Sequence, residues 1–265
     1  MSTPVPSAPP SATDPAALRV EGLGLQIGGA TILKDVDLDV TPGSMVGVIG
    51  PNGAGKTTLF NAVSGVIKPT SGRILMGGTD ITTMSVPHRA RAGLGRTFQT
   101  SSLFPRLSVL ENVRIAAQAK QGGSYSLLRF PRRTDAATER ALAMLEEVGL
   151  AHKLDTPAGD ISHGDKRKLE IAVLLATDST LVLLDEPMAG VASGDVAGLL
   201  ENIRTMQREA GCTLLMVEHH IDVLMGLVDQ VAVMYFGTII ALDTPHNIMN
   251  NPTVQSAYLG TGSAA

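Results

Sequence analysis

Gly50-Pro51-Asn52-Gly53-Ala54-Gly55-Lys56-Thr57 matches the spacing G-x-x-x-x-G-K-[ST] at every fixed position. Phosphate binding explains each residue type. An anion of this kind needs several backbone N–H donors close by, and glycines supply them by tolerating positive φ and lacking a side chain. A helix that begins at the loop adds the positive end of its dipole. Lys56 is placed to reach the β- and γ-phosphates of a nucleotide, Thr57 to offer its hydroxyl to Mg²⁺, and Thr58 continues the same turn. The acidic counterpart is Leu181-Val182-Leu183-Leu184-Asp185-Glu186-Pro187. Two adjacent acids following four apolar strand residues emerge at a strand end. Asp185 is expected to hold Mg²⁺ opposite Thr57, and Glu186 to orient and polarise the attacking water.

The elements around these residues read as an α/β chain. Met45-Val46-Gly47-Val48-Ile49 is a short run with no polar side chain, as in strands buried on both faces. It leads directly into the glycine loop and a helical stretch, Lys56 to Val63. Before it, Leu18 to Leu23 and Ile32 to Val40 alternate apolar and polar residues, which predicts half-buried antiparallel strands turning at Gly28-Gly29. After it, Ser108 to Ala119 and Thr134 to Val148 have helical spacing. The basic Arg129, Arg132 and Arg133 between them read as a solvated loop. Leu181 to Leu184 and Thr213 to Val217 are buried-strand candidates on either side of a helix from Asp195 to Glu209. Val231 to Ala241 reads as a hairpin around Phe236-Gly237. The predicted fold is therefore a parallel-sheet core with an antiparallel flank and a helical insertion.

Composition narrows the function. Among 265 residues, 44% are apolar and 17% charged, enough for a large core, and the net charge of −4 argues against a nucleic-acid partner. Cys212 is the single cysteine, so no internal disulfide or cysteine-built metal site is possible, which fits a reducing compartment. Pro-, Ser- and Ala-rich residues 1–16 predict a disordered tail without a signal peptide. The longest nearly apolar run, Val231 to Leu242, has about a dozen residues. A membrane span needs roughly 20, so a soluble chain is expected, with any membrane role reached through a partner.

Three further segments separate this chain from kinases, GTPases and helicases. Gly95-Arg96-Thr97-Phe98-Gln99 resembles the glutamine loop of ABC ATPases, Ile161-Ser162-His163-Gly164-Asp165 resembles their signature motif, and Glu218-His219 resembles their histidine switch. They occur in the family's order, and the resemblance spans about residues 18 to 260. The signature, usually Leu-Ser-Gly-Gly-Gln, differs at Ile161, His163 and Asp165 but keeps Ser162 and Gly164. Ser162-x-x-Asp165 also reads as a capping box opening a helix.

The resemblance implies a P-loop NTPase core of RecA-like type, residues 17–261, with a helical subdomain at about 97–178. It implies ATP and Mg²⁺ as ligands, with Gln99 sensing Mg²⁺ and the attacking water, and His219 contacting the γ-phosphate. Ser162 and Gly164 would serve ATP held by a second cassette, so that two ATP molecules lie at the seam of a dimer. Near Ile27 many members carry an aromatic that stacks on adenine. Ile27 can pack on the base but lacks a stacking contribution of roughly 1–3 kcal/mol. The loop Met188 to Asp195 lacks the common Ser-Ala-Leu-Asp.

Within the family, Gly95 to Gln99, Leu103-Phe104-Pro105, Leu169 to Ala172, and Asn251-Pro252 with Ala257 to Gly260 resemble the ATPases of branched-chain and hydrophobic amino-acid importers. That implies transmembrane permease subunits, an extracytoplasmic substrate-binding protein, and a position on the cytoplasmic face of the cell membrane. A permease helix would dock around Gln99 to Glu111, on Leu103, Phe104 and Leu107. Urea or short-amide importers share these features, and a non-transport regulatory cassette is a further alternative.

Overall fold

In the computed structural model, residues 16–97, 103–120 and 135–259 are described. Gln99, the basic loop with Arg129, Arg132 and Arg133, most of the predicted tail and Gly260 lie outside them. The chain opens with β1 (Leu18–Ile27) and β2 (Ala30–Val40), paired antiparallel, followed by β3 (Met45–Ile49) and α1 (Lys56–Ser64). Next come β4 (Ser71–Met76), β5 (Thr79–Asp80), α2 (Val86–Arg91) and β6 (Leu94–Arg96). The helices α3 (Val109–Lys120), α4 (Ala136–Glu147) and α5 (His163–Ala176) follow, with a 3₁₀ turn at Ala151–Lys153. The chain then returns to the core through β7 (Leu181–Asp185), α6 (Ser193–Arg208), β8 (Thr213–Val217) and α7 (Ile221–Met225). It finishes with β9 (Gln230–Tyr235), β10 (Thr238–Asp243), α8 (Pro245–Met249) and α9 (Pro252–Leu259).

These strands form two sheets among the described residues. One is antiparallel, in the order β2-β1-β4-β5. The other runs β10-β9-β3-β8-β7-β6, parallel from β9 to β6 with β10 antiparallel at its edge. This is the predicted mixed α/β core with its antiparallel flank.

Alternation along the central strands divides the core in two. Met45 and Ile49 of β3, Val182 and Leu184 of β7, and Leu214 and Met216 of β8 join the core on the helical side. Val46, Val48, Leu181, Leu183, Leu215 and Val217 face the second core, which fills the space toward β1, β2, β4 and α1. Both faces are covered, so these strands have no polar face to show in the sequence. Fully burying one such aliphatic side chain contributes about 1.5–3 kcal/mol, and the four central strands repeat it on both faces.

Helices α3, α4 and α5 pack on one another between β6 and β7. Local signals fix their starts. Asp135 caps α4 by accepting from the Thr138 N–H, and Ser162 caps α5 by accepting from the Asp165 N–H. Among the described residues no helix is long and apolar enough to cross a membrane.

Candidate active site

The phosphate-binding loop joins β3 to α1. Gly50 is there because a Cβ would fall 2.2 Å from the Met234 carbonyl oxygen, and Gly55 precedes α1 with φ 102°. Residues 52–58 line a cavity of about 390 Å³, together with Ile32, Glu186, Val217 and His219. Gly50 and Pro51 are not among the lining residues, but Lys56 Nζ donates to their carbonyls, at 2.6 Å and 3.0 Å. Burial pushes the Lys56 ammonium below its ordinary pKa, and the Glu186 carboxylate partly offsets this. A larger, more open hollow of about 490 Å³ lies over β1 and β2, lined by Arg19, Glu21, Asp37 and Asp39. It has neither a glycine loop nor a helix start, so the smaller cavity is the candidate phosphate site.

Asp185 ends β7 and is almost wholly buried. Its Oδ2 is held by Arg96 at 3.1 Å, while its backbone N–H donates to Thr97 Oγ1. Its Oδ1 is buried with no hydrogen-bond partner among the described residues. An orphaned buried carboxylate oxygen is costly unless something cationic meets it, so this atom fits a metal ion. Burial raises the Asp185 pKa, opposed by the hydrogen bond and charge of Arg96.

Directly after Asp185 the backbone enters the left-handed region at Glu186, φ 49°. Such a conformation costs a non-glycine residue about 1–3 kcal/mol and persists only where its surroundings enforce it. Here the Glu186 N–H donates to the Val217 carbonyl, and the turn closes through the Ala189 N–H on the Glu186 carbonyl. The Glu186 carboxylate thereby meets His219, whose Nε2 lies 2.9 Å from Glu186 Oε1. Glu186, His219, Lys56 and Thr57 line one cavity, as their sequence roles require.

The ABC transporter family model matches residues 33–189. The chain belongs to the ABC transporter family. High-affinity branched-chain amino acid transport ATP-binding protein LivG of Escherichia coli is 39% identical over 248 residues, covering 92% of this chain and 97% of LivG. BraF of Pseudomonas aeruginosa, a protein of the same description, is 36% identical over 92% of this chain and 97% of its own length. Among solved structures, the ADP conformation of MJ1267, an ATP-binding cassette of an ABC transporter, has 31% identity. It superposes with a TM-score of 0.81 over 92% of this chain and 99% of that one. The protein is an ABC-type ATPase with a P-loop NTPase fold.

Ser162, Gly164 and Ile27 are not among the residues that line the phosphate cavity. Ser162 is exposed at the start of α5, and Gly164 packs so tightly on Asp195 that a Cβ would meet its Oδ2 at 2.9 Å. Ile27 ends β1, 53% exposed, and is not among the cavity-lining residues, whereas Ile32 is.

Two residues that the motifs did not single out position the site. Arg96 reaches across the core from β6. Besides Asp185 it bonds Asn61 Oδ1 at 2.8 Å, Ser64 Oγ at 2.6 Å and the Phe60 carbonyl at 3.2 Å, all on α1. It therefore ties the P-loop helix to Asp185, the candidate metal-site acid. Glu218, buried before His219, accepts from the Met188 N–H at 2.7 Å and the His219 N–H at 3.1 Å. That carboxylate straps the loop after Glu186 to the loop carrying His219. A polar residue at the end of an all-apolar strand was the available signal for Glu218; Arg96 lay inside the glutamine-loop motif, with nothing local to mark its bond to Asp185.

Proposed function

We propose that this cassette powers an importer of branched-chain or other hydrophobic amino acids, hydrolysing ATP as one half of a nucleotide-sandwich dimer. The observation that carries the catalytic reading is the Glu186–His219 contact at the edge of the phosphate cavity. ATP lies with its phosphates along residues 52–58 and Lys56 against the β- and γ-phosphates. Asp185 and Thr57 would hold Mg²⁺, whose positive charge would offset charge developing on the transferred phosphoryl group. Glu186 takes the proton of the attacking water as the bond to the γ-phosphorus forms and that to the ADP oxygen breaks. His219 donates to the γ-phosphate and keeps Glu186 oriented. Gln99, which lies outside the described residues, takes from its motif the role of sensing Mg²⁺ and the attacking water.

The second half of each site comes from the partner cassette, through Ser162 and the first-turn N–H groups of α5. The exposed position of Ser162 supports this, since its own cavity is elsewhere. The membrane-facing surface lies around Leu103, Phe104 and Leu107. Phe104 is 54% exposed, and the buried Asn112 side chain holds the loop behind it, bonding the Phe104 N–H at 2.7 Å and carbonyl at 3.1 Å. A rigidly presented aromatic of this kind suits docking to a permease helix, on the cytoplasmic face of the membrane.

Similarity to LivG and BraF along most of the chain supports an amino-acid cargo over urea or a short amide. The test is uptake by vesicles carrying the cassette, its candidate permease subunits and their binding protein. Labelled leucine should enter with ATP and stop entering with Glu186→Gln. Urea uptake without leucine uptake would overturn the cargo assignment, and undiminished assembly and transport with Phe104→Glu would overturn the docking surface.

A further inference from the structure

The signature segment of this chain carries Asp165 where the family usually has glutamine, and the structure shows what that exchange does. Ser162 Oγ is engaged twice within its own chain. It accepts from the Asp165 N–H at 3.1 Å and donates its proton to Asp165 Oδ2 at 2.9 Å. The same Oδ2 receives Lys153 Nζ at 2.5 Å, from the 3₁₀ turn Ala151–Lys153. One carboxylate oxygen thus joins a lysine to the hydroxyl intended for the partner's γ-phosphate.

Electrostatics makes this consequential. A carboxylate within hydrogen-bond reach of a phosphate-binding hydroxyl repels the incoming anion and competes for its only proton. Asp195, packed behind Gly164, adds a second carboxylate near the same helix start. The other cations on this side are differently placed: Lys166 Nζ is held on the Gly159 carbonyl, and Lys168 acts on Asp165 only through its charge. Lys153 alone among them both pairs with and hydrogen-bonds Asp165. Burial raises the Asp165 pKa, but the hydrogen bonds from Lys153 and Ser162, with the charges of Lys153 and Lys168, leave it lowered overall. The carboxylate is therefore charged at neutral pH and has to be neutralised in place.

We infer that Lys153 is a positioning residue of the composite nucleotide site: it neutralises Asp165 and shares the same carboxylate oxygen with Ser162, so that the Ser162 hydroxyl can turn from Asp165 to the partner's γ-phosphate. The Lys153–Asp165 pair then stands in for the neutral glutamine. The inference rests on the proposal that Ser162 serves the opposite cassette.

The test measures ATP-dependent dimerisation by sedimentation at saturating Mg-ATP in the Glu186→Gln background. Lys153→Met should weaken the dimer. About tenfold per site becomes about a hundredfold in the dimer dissociation constant, because a two-fold interface contains the contact twice. Lys153→Arg should retain dimerisation. Asp165→Gln preserves the capping box, and with it in place Lys153→Met should have no further effect. A structural role for Lys153 would not vanish when Asp165 is neutral. Equal weakening by Lys153→Met in the Asp165→Gln background, or none in the parent, overturns the inference. If Lys153→Met does not fold, Lys153→Gln gives the same comparison. A Glu186→Gln parent that never dimerises with ATP overturns the dimer reading itself, and this inference with it.

Discussion

The two chemical ends of this cassette are built differently. At the carboxyl ends of β3, β7 and β8, the phosphate loop, Glu186 and His219 line one cavity, with Asp185 buried directly before Glu186, and this end is braced by Arg96 from β6 and by Glu218, which follows β8. At the start of α5, Ser162 is exposed and its hydrogen bonds are satisfied locally by Asp165. The first site has its catalytic side chains and positioning groups inside one chain. The second has a binding surface with no phosphate loop facing it. The contrast fits the proposed shared active site, in which one cassette brings the phosphate loop with Glu186 and its neighbour brings the start of α5.

Perturbing the braced end should produce the largest effects. Glu186→Gln removes the proton acceptor without altering shape, so ATP turnover should fall about 10²–10⁴-fold, the range for losing a general base. A fluorescent-nucleotide titration should still find ATP bound. If turnover survives, the base is elsewhere.

Arg96→Met leaves Asp185 buried opposite a neutral side chain. Removing one member of a buried ion pair typically costs about 3–5 kcal/mol. Urea denaturation should register a loss of that order, and nucleotide affinity should lose its Mg²⁺ dependence. A loss below about 1 kcal/mol, the value of an exposed pair, would show that Arg96 does not brace the site.

Glu218→Ala strands two backbone N–H groups, those of Met188 and His219. A smaller loss is expected, about 1–3 kcal/mol in the same denaturation assay. Turnover should fall more than nucleotide affinity, because the Glu186–His219 geometry loosens while the phosphate loop stays intact. Equal falls in both would place Glu218 in general stability alone.

The smallest effect tests the rim of the cavity. Ile27→Tyr should tighten ATP binding by at least about fivefold, the low end of one added base-stacking contact. An unchanged affinity by calorimetry would move the adenine contact to Ile32, which lines the cavity directly.

Much of this architecture was legible beforehand because the physics behind it is local. The β3, β7 and β8 runs are uniformly apolar since each strand feeds two cores, and the loop from Gly50 to Thr57 states its own chemistry. The cap at Ser162 was also readable from the Ser162-x-x-Asp165 spacing. Less could be read wherever a role depends on the tertiary approach of distant residues. Arg96 lies 89 positions from Asp185, and as a sequence element it was one residue of a glutamine-loop motif. Glu218 preceded a recognised histidine, yet its bond to Met188 spans 30 positions and appears only when the two loops are side by side. The left-handed backbone at Glu186 has no sequence mark, since glutamate rarely adopts it. Lys153 had no motif at all.

The claim that joins both ends is that two cassettes close on ATP. Light scattering of the Glu186→Gln variant, with and without Mg-ATP, tests it most directly. The account predicts a monomer without nucleotide and a dimer with it, since hydrolysis can no longer reopen the pair. A variant that binds ATP and stays monomeric at every concentration would contradict it.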